Sequence, residues 1–251
     1  MAEREQWLSR RGFILATIGS AVGIGNIWRF SYVAGENGGA AFLLLYILCV
    51  ALIGLPLVIA ELAMGRRGQG DAVAAFGNGG RGWPWVGWVC IAGASVILSY
   101  YAVIAGWALK YFAGAATGSL WTAASGGFGG YFKQFIANIG EPVAWQAAIL
   151  GATMFVVAGG VAKGIEKFNR WLMPLLGLLL IGLAVYALTL PNSGAGVRFL
   201  FAPDWSALAR PGVWAAAMGQ AFFSLGVGMA IFATYGSYMP RTFSLPVSAL
   251  A

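Results

Sequence analysis

The sequence contains no histidine, only two cysteines, and few charges of either sign: 9% of its 251 residues are Asp, Glu, Lys or Arg. Without histidine there is no HExxH zinc site, no Ser-His-Asp triad, no Cys-His dyad and no His-ligated haem. Cys49 and Cys90 both lie inside apolar runs. They read as small buried hydrophobes rather than as a disulfide or metal pair. So few charges cannot cover a water-facing surface. The hydrophobic share of 60% and a mean hydropathy of +0.78 place the chain in a bilayer instead. The +7 net charge would suit nucleic acid, except that the cations sit between apolar runs, where they report membrane topology.

A membrane-crossing helix needs about 20 mostly apolar residues, and six stretches qualify, near 12–35, 40–64, 84–112, 142–160, 166–190 and 212–239. The predicted fold class is therefore an all-α membrane protein. The first span runs through Asn26 and Arg29 without a small-residue cleavage site, so it is read as retained rather than as a signal peptide. With residues 1–11 inside, the inner segments hold Arg4, Arg10, Arg11, Arg66, Arg67, Arg81, Lys163, Lys167, Arg170 and Arg241. The outer ones hold Lys110, Lys133, Arg198 and Arg210. Ten against four puts the N-terminus and the 240–251 tail in the cytoplasm.

Two spans carry glycines and polar groups at mid-depth, where unpaired peptide groups cost several kcal/mol each. The first reads GSAVGIGN over 19–26, the sixth FFSLGVG over 222–228. Close packing accounts for a lone Gly19-xxx-Gly23 pair. Two interrupted spans five apart instead fit an inverted repeat with a binding site at the breaks. Free carbonyls there are ligands for a bare cation. Arg29 and Glu61, deep in spans, each cost at least about 2.5 kcal/mol unless partnered. Glu61 reads as an anchor that caps broken-helix backbone. An intramembrane enzyme lacks its base: there is no pair of intramembrane aspartates and no acid facing Ser20 or Ser224, so the chain is read as a non-enzyme.

The strings SAVGIGNIWRF (20–30), ENGGAAF (36–42), GLPL (54–57), ELAMGR (61–66), KGIEK (163–167), PGVW (211–214) and GQAFFSL (219–225) together resemble the neurotransmitter:sodium symporter family, in its bacterial amino-acid branch. The likeness runs from about residue 3 to 240 and implies the N-terminal part of a five-plus-five inverted-repeat transporter with broken first and sixth helices. It implies sodium-driven uptake of an amino acid or amine by alternating access, in a bacterial cytoplasmic membrane.

By the same resemblance one sodium ion takes the Ala21 carbonyl, the Asn26 side chain and Ser224, and a second takes carbonyls of Gly19 and Val22. Oxygen ligands suit a hard cation. The substrate carboxylate meets backbone around Ala21, Gly23, Ile24 and Gly25 and the hydroxyl of Tyr101. Its side chain sits among Ile97, Phe223, Ser224, Gly226 and Met229. The family pattern makes Arg29, Tyr101 and Phe223 an outer gate and Arg4, Trp7, Ser237 and Tyr238 an inner one. Gly164 and Pro174 match an element that lets the fifth span unwind. Tyr46, Gln220 and Ser224 match positions around chloride in chloride-dependent members, but the deciding residue belongs to a seventh span, so chloride dependence stays open. The expectation is that the chain is an incomplete part, its other half on the same parent chain or on another chain. The alternative is a non-transporting half-transporter or assembly module that needs a partner.

Overall fold

The computed structural model describes residues 5–250, and among them there is no strand. Four helices are long and apolar enough to cross a membrane, five if one bent pair counts as a single span. The chain divides into two units. One takes in residues up to 91 together with those from 161 onward, and the other takes in 92–160.

In the first unit, Ser9 caps α1 (Arg10–Ala21) by accepting from the Gly12 N–H, which satisfies one of the donors orphaned at a helix start. The chain unwinds over 22–23, passes through a wide π-type turn (Gly25–Arg29) and continues as α2 (Phe30–Glu36), bent by 56° from α1. The second span runs as one helix from Ala40 to Gly68 through α3 (Ala40–Cys49), another π-turn (Val50–Gly54) and α4 (Leu55–Gly68), and Pro56, which has no N–H to donate to the preceding turn, follows directly on the π-turn. Asp71 caps the short α5 (Ala72–Gly77).

The long helix α6 (Pro84–Ala116) leads into the second unit, which adds α7 (Ser119–Ala123), α8 (Phe128–Ala137) and α9 (Gly140–Ala158). There Lys110 pairs with Glu141 and lies 4.3 Å from the centroid of the Phe135 ring. Gly106 passes so close to α9 that a Cβ would stand 2.7 Å from the Gln146 nitrogen.

Back in the first unit, a π-turn (Val161–Glu166) opens α10 (Lys167–Thr189), which carries Pro174 inside it. Then come α11 (Ser193–Phe201), a 3₁₀ turn (Trp205–Ala209), α12 (Pro211–Leu225), α13 (Ile231–Ser237) and α14 (Leu245–Ala249). Between α12 and α13 the backbone turns left-handed at Gly226 (φ 72°), Gly228 (φ 84°) and Ala230 (φ 56°). Glycine adopts that conformation without strain, so the break falls where the sequence supplies it.

Trp7, Phe13, Leu62 and Phe232 form a buried cluster at the core of this unit. Cys49 packs into a second cluster with Phe42 and Ala217, and Cys90 into a third with Ala72 and Ala233. By contrast α9 and α10 bury no residue completely.

Candidate functional site

The two breaks meet through side chains. Because the helix stops at Ala21, the Asn26 amide turns back to donate to the Ala21 carbonyl at 2.5 Å. Its oxygen accepts from the Ser224 hydroxyl, 2.7 Å away on the last turn of α12. Ser224 in turn accepts from Gln220 Nε2 at 3.1 Å, and Gln220 Oε1 accepts from Arg29. The chain of bonds has one direction. Arg29 can only donate, so Gln220 must present its oxygen there and its NH₂ to Ser224. That obliges Ser224 to donate to Asn26. Every oxygen in the row keeps a further lone pair and is a hard-ligand type, and three of them, Ala21 O, Asn26 Oδ1 and Ser224 Oγ, follow one another along the row.

Arg29 also lies 5.3 Å from the Phe223 ring centroid, a cation–π distance that offsets part of the cost of its charge. Phe223 and Ser224 thus bring α12 against the first broken helix from two neighbouring positions. Tyr46 packs edge-on to Phe30 at 5.1 Å, beside the same helices. Its partner is aromatic, while Gln220 and Ser224 are held in the polar row.

The first break is built as a helix end followed by a helix start. Val22 closes α1 with extended backbone and donates to Ile18 O at 2.7 Å. The Gly23 carbonyl accepts from Asn26 and Ile27 as the next segment begins. Ile24 leads into the π-turn, with Gly25 buried at its first position. Gly19, by contrast, remains inside α1, and a Cβ there would run into the side chain of Asn169, so this glycine serves close approach to α10.

Across the second break, a Cβ on Gly226 would stand 3.5 Å from Met229 Cε and 3.2 Å from Ile231 Cδ1. Glu61, buried on α4, accepts from the Gly228 N–H at 2.6 Å. It therefore satisfies backbone that the break leaves without helical partners.

At the opposite end of α1, Trp7 is 3% exposed, donating its indole N–H to Tyr235 O at 3.0 Å and its backbone N–H to Tyr238 O at 3.1 Å. Ser237 is buried and bonds to Thr234 O at 2.6 Å. Arg4 lies outside the described residues. Ile97 and Tyr101 stand on α6 in the second unit, four residues apart and so on one helix face, with Tyr101 edge-on to Tyr100 at 5.8 Å.

Two carboxylates outside the sequence-predicted set hold the N-terminal segment to the fifth span. Glu166 is 0% exposed and accepts from Leu8 N and Ser9 Oγ at 2.8 Å each, and Glu5 accepts from Val161 N and Ala162 N. The available signal was an acid inside the KGIEK string at the head of an apolar span, four residues before Arg170.

The profile of the Sodium:neurotransmitter symporter family matches residues 4–128 and 130–250. The chain belongs to the sodium:neurotransmitter symporter family. Among curated relatives of this symporter family, the sodium-dependent transporter YhdH of Bacillus subtilis is 42% identical over 97% of this chain and 54% of its own length. The sodium-dependent neutral amino acid transporter B(0)AT2 of Bos taurus is 30% identical over 95% of this chain and 36% of its own. The crystal structure of MhsT in complex with L-phenylalanine superposes with a TM-score of 0.90 at 56% identity, covering 99% of this chain and 57% of that one. The chain thus spans between 36% and 57% of the length of these relatives. Its fold is that of the N-terminal part of a symporter of this family, an integral membrane protein with broken first and sixth helices.

Proposed function

We propose that the chain forms the N-terminal part of a sodium-coupled symporter that imports an amino acid by alternating access. The observation that carries this reading is the row from the Ala21 carbonyl through Asn26 and Ser224 to Gln220 and Arg29, because it gathers oxygen ligands from both broken helices around one point. A sodium ion at Ala21 O, Asn26 Oδ1 and Ser224 Oγ would join the two half-helices, and its charge would favour a substrate carboxylate beside it. A second ion is assigned to carbonyls at Gly19 and Val22, at the end of α1, where carbonyls lose their helical partners.

In this reading the carboxylate lies against backbone from Ala21 to Gly25, at the positive end of the segment that follows, and against the Tyr101 hydroxyl. Ile97, Phe223, Ser224, Gly226 and Met229 surround the side chain. The absent side chain at Gly226 and the pliable Met229 leave room for a large apolar or aromatic amino acid. L-phenylalanine in the MhsT complex supports that class. Arg29, Tyr101 and Phe223 close the outer side. Arg4, Trp7, Ser237 and Tyr238 close the inner side, in a bacterial cytoplasmic membrane with the N-terminus inside, as the cation count supports. Chloride at Tyr46, Gln220 and Ser224 is left to measurement.

The test is binding of radiolabelled L-phenylalanine to the whole gene product in proteoliposomes, titrated with sodium against a potassium background. Asn26→Ala is expected to raise the sodium concentration for half-maximal binding about tenfold or more, the loss of one good ligand. Sodium dependence unchanged by that substitution would remove the first-site assignment, and binding indifferent to sodium would remove the reading itself.

A further inference from the structure

The chain ahead of α1 and the start of the fifth span cap each other. Glu5 accepts from the backbone N–H groups of Val161 at 3.1 Å and Ala162 at 2.8 Å. Glu166 accepts from the Leu8 N–H at 2.8 Å and the Ser9 hydroxyl at 2.8 Å. Helix starts leave their first N–H groups without internal partners, and in or beside hydrocarbon such orphans are expensive. Glu5 supplies acceptors for the first N–H groups of the fifth span, and Glu166 in return holds the Leu8 N–H just ahead of α1 and the hydroxyl of Ser9, the residue that caps α1. The two halves interlock further. Ser9 Oγ accepts from Gly12 N at 2.9 Å while donating to Glu166, and a Cβ at Gly12 would collide with the Glu166 carboxyl, so the contact needs the glycine. Arg170 reaches Glu166 Oε1 at 3.2 Å and offsets part of the cost of burying its charge.

Trp7 sits between the two sets of bonds, buried and held by the carbonyls of Tyr235 and Tyr238. The segment that Glu5 caps is weak by construction. It begins after Gly160 in left-handed backbone (φ 77°), runs as a π-turn, contains Gly164, and has Pro174 downstream to remove a helix bond.

We propose that Glu5 and Glu166 form a reciprocal latch, with Glu166 a positioning residue that acts through Leu8 and Ser9 to seat Trp7, so that release of the N-terminal segment and loosening of the π-turn at 161–166 are one event. The proposal deepens the transport reading, and rests on it only in calling this the inner gate.

The test is amide hydrogen exchange on the whole gene product in nanodiscs. Glu166→Gln should speed exchange at residues 8–12, which it touches, and also at 161–162, which only Glu5 caps, about tenfold or more in both places. Glu5→Gln, at an exposed position expected to tolerate change, should speed 161–162 and also 8–9. Exchange in α5 and α12 should stay as it was. If each substitution loosens only the segment its own carboxylate caps, there is no latch. If exchange rises everywhere, Glu166 supports the fold rather than positioning the gate. Should Glu166→Gln fail to fold, Glu5→Gln decides alone, since exchange at 8–9 either follows 161–162 or does not. Sodium-dependent phenylalanine binding, measured on the unsubstituted protein, separates the two ideas: its absence removes the transport reading and leaves the exchange result standing.

Discussion

Asn26 reaches the Ala21 carbonyl only because the helix stops between them; in an unbroken helix the side chain five residues on points elsewhere. Its role thus depends on conformation as much as on chemistry, and the same holds for the other polar residues of the site. Ser224 finds Asn26 across 198 positions of sequence, and Gln220 is oriented by an arginine on another helix. Tyr101→Phe is expected to weaken amino-acid binding by about 1.5–3 kcal/mol, the worth of a hydrogen bond to a carboxylate, with sodium affinity in the absence of substrate unchanged. Equal affinity in a binding titration would mean that the hydroxyl does not touch the substrate. At Glu61 a carboxyl oxygen serves backbone. Glu61→Gln keeps an oxygen for the Gly228 N–H, whereas Glu61→Leu removes it and should cost about 1.5–3 kcal/mol more, read as a lower thermal midpoint. A leucine variant as stable as the glutamine one would contradict the capping role.

The glycines separate into two kinds at the level of helices and breaks. Gly228 has open space where a Cβ would go but a φ of 84°, so Gly228→Ala should cost only backbone strain, about 1–2 kcal/mol. Gly65 has ordinary helical backbone, yet a Cβ there would run into the Ala233 backbone, and Gly236 meets Leu62 in the same way from the opposite helix. Gly65→Ala must push α4 from α13 and is expected to destabilise more than Gly228→Ala, a ranking that thermal melts of the two variants would check. The capped 3₁₀ turn on the predicted outer loop adds a pH dependence. The Ser206 hydroxyl and N–H hold the Asp204 carboxyl below its usual value, so the ionised form favours the turn. That contribution is complete above the ordinary carboxylate range and is lost as pH falls through the lowered value. Exchange at 205–209, corrected for intrinsic rates, should be flat from neutral pH down to about pH 4 and rise below it.

For the molecule as a whole, the decisive property is how much apolar surface faces outward. Phe155 is 83% exposed and Trp171 76%, on helices that bury nothing completely, a surface that a bilayer or further helices must cover. The polypeptide should stay with membranes through alkaline carbonate washing. Recovery in the soluble fraction would contradict the membrane assignment.

Six apolar stretches, their flanking cations and the glycine-rich strings determined the membrane class, the predicted orientation and the family, because hydrophobic length and backbone permissiveness are local properties of sequence. Those same strings named Ala21, Asn26, Arg29 and Ser224, and the charge penalty alone marked Glu61 as needing a partner. The partners themselves are long-range. Nothing near Gln220 in sequence says that Arg29 will fix which way its amide points. Nothing near Glu166 says that it will meet Leu8 and Ser9 across 158 and 157 positions. Tertiary structure decided those contacts, because a buried polar group is satisfied by whatever donor the fold brings to it, and that depends on how helices distant in sequence pack.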